Sequence, residues 1–179
     1  LQLTETLGEA LNYADQWNTR CAFLMIDLDR FKSVNDSLGH LVGDRLLAQV
    51  SARLKGLMGD NQLCGRLGGD EFAVLVSDIE DESDTAQVAE RIHTLFQQEF
   101  SIAGRGMYSS ASIGIAIATN QYQSPEEVLR DADLAMYRAK ALGGGRYQLF
   151  DEEIRRQVSE LLELETDLRR ALHRGEFRV

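Results

Sequence analysis

CAFLMIDL (residues 21–28) predicts a buried strand at the centre of the fold, because it opens with a short apolar run, residues 21–26. RLGGDEFAVLV (residues 66–76) predicts a hairpin, since its glycine pair can adopt the positive φ of a tight turn at little cost. Further strands are predicted at 108–118 and 146–150, and helices at 1–17, 31–35, after Asp44, 84–99, 125–141 and 151–173. Strands that alternate with helices but include a hairpin predict a mixed α/β sheet flanked by helices, with a C-terminal helical extension.

The composition and charge indicate which kinds of molecule the protein can bind. Hydrophobic residues make up 44% of the 179 residues, which is enough for a substantial core. The formal net charge is −10, whereas a nucleic-acid-binding protein needs clustered Lys and Arg, so we expect no nucleic-acid partner. An acidic protein that handles a polyphosphate needs bridging cations, for which magnesium is the usual choice.

The cysteines and the apolar runs bear on location. Cys21 and Cys64 form no CxxC pair and sit beside apolar residues, as reduced core thiols of a cytosolic protein do. The longest apolar run, residues 21–26, is too short to cross a bilayer. The chain opens at Leu1 in an amphipathic pattern without an initiator Met. We therefore expect a cytoplasmic part of a longer protein, whether or not that protein is attached to a membrane.

Two carboxylates stand at the end of the apolar strand. Asp27 and Asp29 are two residues apart and so point to the same side, where they repel each other unless a cation meets them. An alternative is that Asp29 caps the following helix while Asp27 reaches solvent.

The hairpin tip has the second group of acids. Gly68 and Gly69 carry no side chains, so a phosphate can approach the backbone closely, and Asp70 and Glu71 follow directly. An alternative is that these residues form an exposed hairpin whose acidic side chains discourage aggregation. Combined with Asp27 on a neighbouring strand, however, the tip predicts one acidic pocket suited to magnesium and substrate phosphates.

Four ordered segments resemble the GGDEF family of diguanylate cyclases: FLMIDLDRFKSVNDSLGHLVGD (23–44), RLGGDEFAVLV (66–76), SASIGIA (110–116) and LRDADLAMYRAKALGGGR (129–146). The resemblance implies a palm-like α/β fold, related to nucleotide cyclases and polymerases, over residues 1–150. It also implies metal-dependent condensation of two GTP molecules into cyclic di-GMP.

The resemblance assigns the metal and the chemistry. Asp27, Asp70 and the carbonyl of Leu28 would ligate Mg²⁺ or Mn²⁺. Asp70 or Glu71 would help to deprotonate the attacking ribose hydroxyl, and the two are not distinguished. Lys32 would contact the phosphates and stabilise charge in the transition state.

The resemblance also assigns the substrate contacts. Asn35 and Asp44 would hydrogen-bond the guanine edge with His40 nearby, and Lys140 would hold the outer phosphates. Each has an alternative: Asp44 suits the N-cap of the next helix, His40 suits a turn, and Lys140 suits a helix C-terminus.

The sequence departs from the family pattern in two places. An Arg that usually contacts phosphate is replaced by Gly144, within Gly143-Gly144-Gly145, and Arg146 lies two positions later. The Arg and Asp of the family's inhibitory product site are Gly59 and Gln62. Residues 164–179 resemble the junction that leads into an EAL phosphodiesterase domain, so we expect residues 151–179 to be a linker helix.

Three functions are compatible with these features. The first is an active cyclase, in which two domains form a transient homodimer and each presents one GTP to the other. The second is a GTP-binding regulatory module for a downstream EAL domain, favoured by the missing Arg. The third is a cyclic di-GMP receptor, which the loss of the product-site residues disfavours.

Overall fold

The computed structural model describes residues 2–119 and 121–174. The described residues form six helices and seven strands. In chain order these are α1 (Gln2–Trp17), β1 (Cys21–Leu28), α2 (Phe31–Leu38), α3 (His40–Leu57), β2 (Gln62–Gly68), β3 (Glu71–Val76), α4 (Glu82–Phe96), β4 (Phe100–Ile102), β5 (Arg105–Met107), β6 (Ala111–Ala118), α5 (Pro125–Ala141), β7 (Tyr147–Leu149) and α6 (Glu152–His173).

The main sheet has the strand order β2-β3-β1-β6-β7. β1 pairs antiparallel with both β3 and β6, β2 pairs antiparallel with β3, and β6 pairs parallel with β7. The predicted mixed sheet with flanking helices is therefore confirmed, as is the hairpin between β2 and β3. β4 and β5 form a separate two-stranded hairpin that the sequence pattern did not predict.

Alternate residues of β1 pack on opposite faces of the sheet. Residues 22, 24, 26 and 28 join a core with α3 and α4, whereas residues 21, 23 and 25 join a second core with α1 and α5. The side-chain period of two in a strand produces this division. Asp27 continues the odd-numbered series, so it lies on the face covered by α5.

The junction between α2 and α3 corrects one helix boundary. The sequence pattern placed Asp44 before the helix as its N-cap, but α3 begins at His40 and Asp44 lies in its second turn. Gly39 ends α2 and begins α3 with a φ of 87°, a conformation that glycine adopts at little cost. Asp44 is thus free of a capping role, and His40 is helical rather than a turn residue.

The C-terminal helix α6 is fastened to the domain in its first two turns. Ile154 and Val158 are buried. Arg155 donates to both carboxylate oxygens of the buried Asp131 of α5 at 2.9 Å, and the Tyr122 hydroxyl donates to the same carboxylate at 3.0 Å. Of the predicted linker, residues 175–179 lie outside the described residues. Among the helices described, none is both long enough and apolar enough to span a membrane.

We predict that Arg155→Ala lowers the free energy of unfolding by about 2–4 kcal/mol, because it removes the main charged partner of a buried carboxylate. Arg156→Ala is the matched control on the same helix, since Arg156 pairs only with exposed Glu153 and Glu160 in the described structure. Its cost should stay below about 1 kcal/mol. Denaturant titration measures both values, and equal costs for the two variants would contradict the anchoring role of Arg155.

Candidate active site

Asp27 is buried at the end of β1 and faces the last turn of α5. Its Oδ2 lies 2.8 Å from the Nζ of Lys140. The alternative in which Asp27 simply reaches solvent is therefore wrong. Lys140 contacts a buried acid rather than only completing a helix terminus, and it brings one positive charge to the end of the central strand.

The hairpin brings its two acids to the same place. Glu71 is the register partner of Asp27 across β1 and β3, and the Leu28 amide donates to the Asp70 carbonyl at 3.3 Å. Arg66 donates from Nε and Nη2 to the Gly69 carbonyl at 2.8 and 2.6 Å, which holds the turn closed. The predicted acidic cluster therefore forms at the ends of two neighbouring strands.

The cluster is electrostatically crowded. Burial raises the pKa of Asp27, and the nearby Asp70 and Asp29 raise it further, while Lys140 opposes the shift. Burial also raises the pKa of Glu71, with Asp27, Asp133 and Asp70 adding to the effect. Each raised pKa means that burial and the neighbouring negative charges disfavour the ionised carboxylate.

The turn residues leave space at the tip. Gly69 has a φ of 51°, as a tight hairpin turn requires, and a Cβ at Gly68 or Gly69 would meet nothing within 4 Å. A phosphate could approach this backbone without displacing a side chain. Lys32 is exposed at the second position of α2, and no ion pair between Lys32 and the carboxylates appears among the described residues.

A second group of predicted residues meets at the α2–α3 junction. Asn35 packs against Gly43 so closely that a Cβ there would lie 2.0 Å from Asn35 Oδ1. This Oδ1 is buried without a hydrogen-bond partner within the described part of the chain. His40 and Asp44 are exposed and one helical turn apart on α3. Asn35 therefore packs against Gly43, the residue that precedes Asp44 on α3.

Asp29 does not cap the following helix, so that alternative is wrong. The N-cap of α2 is Arg30, with a φ of 57° and no capping hydrogen bond from its side chain. Asp29 instead accepts hydrogen bonds from Ser110, Ser112 and the backbone of Gly145. Sequence reasoning assigned no role to these two serines, and their spacing of two residues at the start of β6 was the available signal.

The acidic cluster suits a metal that arrives with its substrate. No group of three or more His, Cys, Asp or Glu side chains within the described ranges is arranged to hold a metal ion. Magnesium commonly takes one or two carboxylates and completes its coordination with water and phosphate oxygens. Such a set of ligands is available here from the carboxylates of Asp27 and Asp70 and the carbonyl of Leu28. The crowding of negative charge favours a cation at this place.

The sequence departs from the family pattern at Gly144 and at the Gly59–Gln62 pair, and the structure shows the surroundings of both. Gly144 has a φ of 74°, and a Cβ there would lie 3.0 Å from both carboxylate oxygens of Asp29, so an arginine would be strained. Gln62 Oε1 accepts a hydrogen bond from the Gly59 amide at 3.2 Å, so the side chain at the second product-site position bonds to the backbone of the first.

The fold and the site define a palm-like domain with carboxylates at the ends of its central strands. The chain belongs to the GGDEF domain family: the family described as "Diguanylate cyclase, GGDEF domain" matches residues 1–146. The structure is similar to the isolated GGDEF domain of TpbB from Pseudomonas aeruginosa PAO1. The TM-score is 0.84 at 35% identity, over 88% of this chain and 92% of the other.

Two relatives of similar sequence are named for different activities. The Escherichia coli K12 protein PdeR, a cyclic di-GMP phosphodiesterase, is 38% identical over 98% of this chain and 26% of its own length. MucR of Pseudomonas aeruginosa PAO1, a bifunctional diguanylate cyclase/cyclic di-GMP phosphodiesterase, is 38% identical over 98% of this chain and 25% of its own length. The chain therefore spans about a quarter of the length of these two relatives.

Proposed function

We propose that this domain is a metal-dependent diguanylate cyclase that condenses two GTP molecules into cyclic di-GMP and two pyrophosphates. The observation that carries the proposal is the convergence of Asp27, Asp70 and Glu71 beside Lys140. The crowded carboxylates favour cations, and GTP with magnesium supplies both the cations and an anion that they can bridge.

The residues of this site would act mainly by positioning and by balancing charge. Each GTP 3′-oxygen forms a bond to the α-phosphorus of the other GTP, and the bond from that phosphorus to pyrophosphate breaks. Asp70 or Glu71 accepts the proton of the hydroxyl. Asp27, Asp70 and the Leu28 carbonyl would hold Mg²⁺ or Mn²⁺, which stabilises charge on the reacting oxygens when bound.

The remaining residues would bind the substrate. Lys32 contacts the phosphates, and Lys140 exchanges part of its contact with Asp27 for the outer phosphates. The open backbone at Gly68 and Gly69 admits the triphosphate. Because one domain holds one GTP, two domains must face each other as a transient homodimer for both bonds to form.

Asn35, Asp44 and His40 would form the guanine site. The Asp44 carboxylate accepts from the N1–H and amino group of guanine, which adenine does not offer, and the Asn35 amide supplies both a donor and an acceptor. The packing of Asn35 against Gly43, next to Asp44, supports this role.

A GTP-binding regulatory module is the second candidate. Gly144 replaces the family's phosphate-binding Arg, and its left-handed backbone disfavours any larger residue. In this case residues 151–179 form the linker through which GTP binding controls an EAL domain, and the chain turns over little or no GTP. The Arg155–Asp131 contact would then transmit the change to α6.

Turnover distinguishes the two candidates. We expect cyclic di-GMP when the protein is incubated with GTP and magnesium and the nucleotides are separated by chromatography. The rate per molecule should rise with protein concentration, since two domains must meet. Asp70→Ala should abolish the product, while Asp60→Ala, which changes an exposed aspartate before β2, should not. GTP that binds but stays intact at the highest protein concentration would favour the regulatory module.

Base selectivity provides a separate prediction. ATP should bind at least about 100-fold more weakly than GTP, because adenine leaves the polar groups of the pocket unsatisfied. Asn35→Ala should reduce this preference markedly. Asn61→Ala is the control, since its amide donates to the Ser77 carbonyl away from the site. Competition binding measures the ratio, and an unchanged preference in Asn35→Ala would reject the guanine pocket.

A further inference from the structure

Asp29 is bound by three donors from distant parts of the chain. The hydroxyl of Ser112 donates to Oδ1 at 2.6 Å, and the hydroxyl of Ser110 donates to Oδ2 at 2.6 Å. The backbone amide of Gly145 also donates to Oδ2, at 2.8 Å. Hydrogen bonds to a carboxylate are stronger than those between neutral groups, so this cluster joins the end of β1 to β6 and to the loop after α5.

The loop held by Asp29 is the one that ends α5. The Gly143 amide donates to the Lys140 carbonyl at 3.0 Å, and the Gly144 amide donates to the Ala139 carbonyl at 3.1 Å. Gly143, Gly144 and Gly145 all have positive φ. The helix therefore ends at Ala141, one residue after Lys140, and the chain turns back so that the third glycine reaches Asp29.

Asp27 and Asp29 thus differ in function although they are two residues apart. Asp27 contacts a cationic side chain, whereas both oxygens of Asp29 are occupied by neutral donors. Asp29 is accordingly suited to holding structure rather than to binding a cation.

We propose that Asp29 is a positioning residue, which fixes the last turn of α5 and thereby sets the place of Lys140 beside Asp27. Its effect on catalysis rests on the proposed function, because Lys140 is there assigned to the GTP phosphates. The tether itself is independent of GTP and can be measured without it.

Asp29→Ala is the decisive variant, and Ser112→Ala is its matched control. Asp29→Ala removes both carboxylate oxygens and therefore the acceptor of the Gly145 amide. Ser112→Ala removes a donor to Oδ1 but leaves the Gly145 contact to Oδ2 intact. Only the first variant should free the glycine loop.

The first readout is the reactivity of Lys140. The chain has three lysines, so Lys32 and Lys55 serve as internal references during labelling with an amine-acetylating reagent. Mass spectrometry should show Lys140 labelled several-fold faster in Asp29→Ala, and less than about twofold faster in Ser112→Ala. Unchanged Lys140 labelling in a folded Asp29→Ala variant, or an equal increase in both variants, would overturn the proposal.

The unmodified protein provides a second readout that does not depend on folding of the variant. The Gly145 amide should exchange its hydrogen far more slowly than an unprotected amide, since Asp29 accepts it. Exchange at the unprotected rate would overturn the tether.

Nucleotide binding then separates this inference from the proposed function. Asp29→Ala should weaken GTP binding about tenfold, the value of one charge-assisted contact, and leave GMP binding unchanged. Equal loss for GTP and GMP would contradict a role through Lys140. Failure of the unmodified protein to bind GTP would count against the proposed function, and the labelling and exchange results would still decide the role of Asp29.

Discussion

Helix α5 crosses the central strands at Gly114, where a Cβ would lie 1.9 Å from the carbonyl oxygen of Ala132 and 2.2 Å from the backbone nitrogen of Met136. Any larger residue would move the helix away from the sheet. This close approach, together with the burial of alternate β1 residues beneath α5, brings Lys140 within 2.8 Å of Asp27. The geometry of the candidate site therefore depends on how closely one helix packs on one glycine.

The electrostatics of the site follow from that packing. Carboxylates from β1 and β3 share the end of the sheet. Burial, and then their mutual repulsion, raises the pKa values of Asp27 and Glu71, and the Lys140 contact with Asp27 at 2.8 Å only partly offsets this. Negative charge that is held together without full compensation makes the site receptive to divalent cations. Membership of the GGDEF family agrees with this chemistry. PdeR, named as a phosphodiesterase, and MucR, named as bifunctional, show that the family alone does not determine the activity of one chain.

Sequence patterns predicted those features of the fold that depend on residues close together in the chain. The apolar run of β1 and the glycine hairpin were recognised because burial and turn geometry impose them directly on neighbouring residues. The start of α3 was misplaced at Asp44, since the positive φ of Gly39 lets the chain reverse without a side-chain cap. The partners of Asp29 were not predicted because Ser110 and Gly145 are 81 and 116 residues away. The two three-residue strands β4 and β5 are too short to show a period.

We expect the carboxylates at the ends of β1 and β3 to receive GTP only together with a divalent cation. Calorimetric titration of GTP in magnesium, and again in excess chelator, measures this dependence. Two like charges about 4 Å apart cost about 1 kcal/mol in water and about 4 kcal/mol near a protein surface. GTP should therefore bind at least about fivefold more weakly in chelator, and Asp70→Ala should cause a similar loss in magnesium. Equal GTP affinity with and without the cation would contradict it.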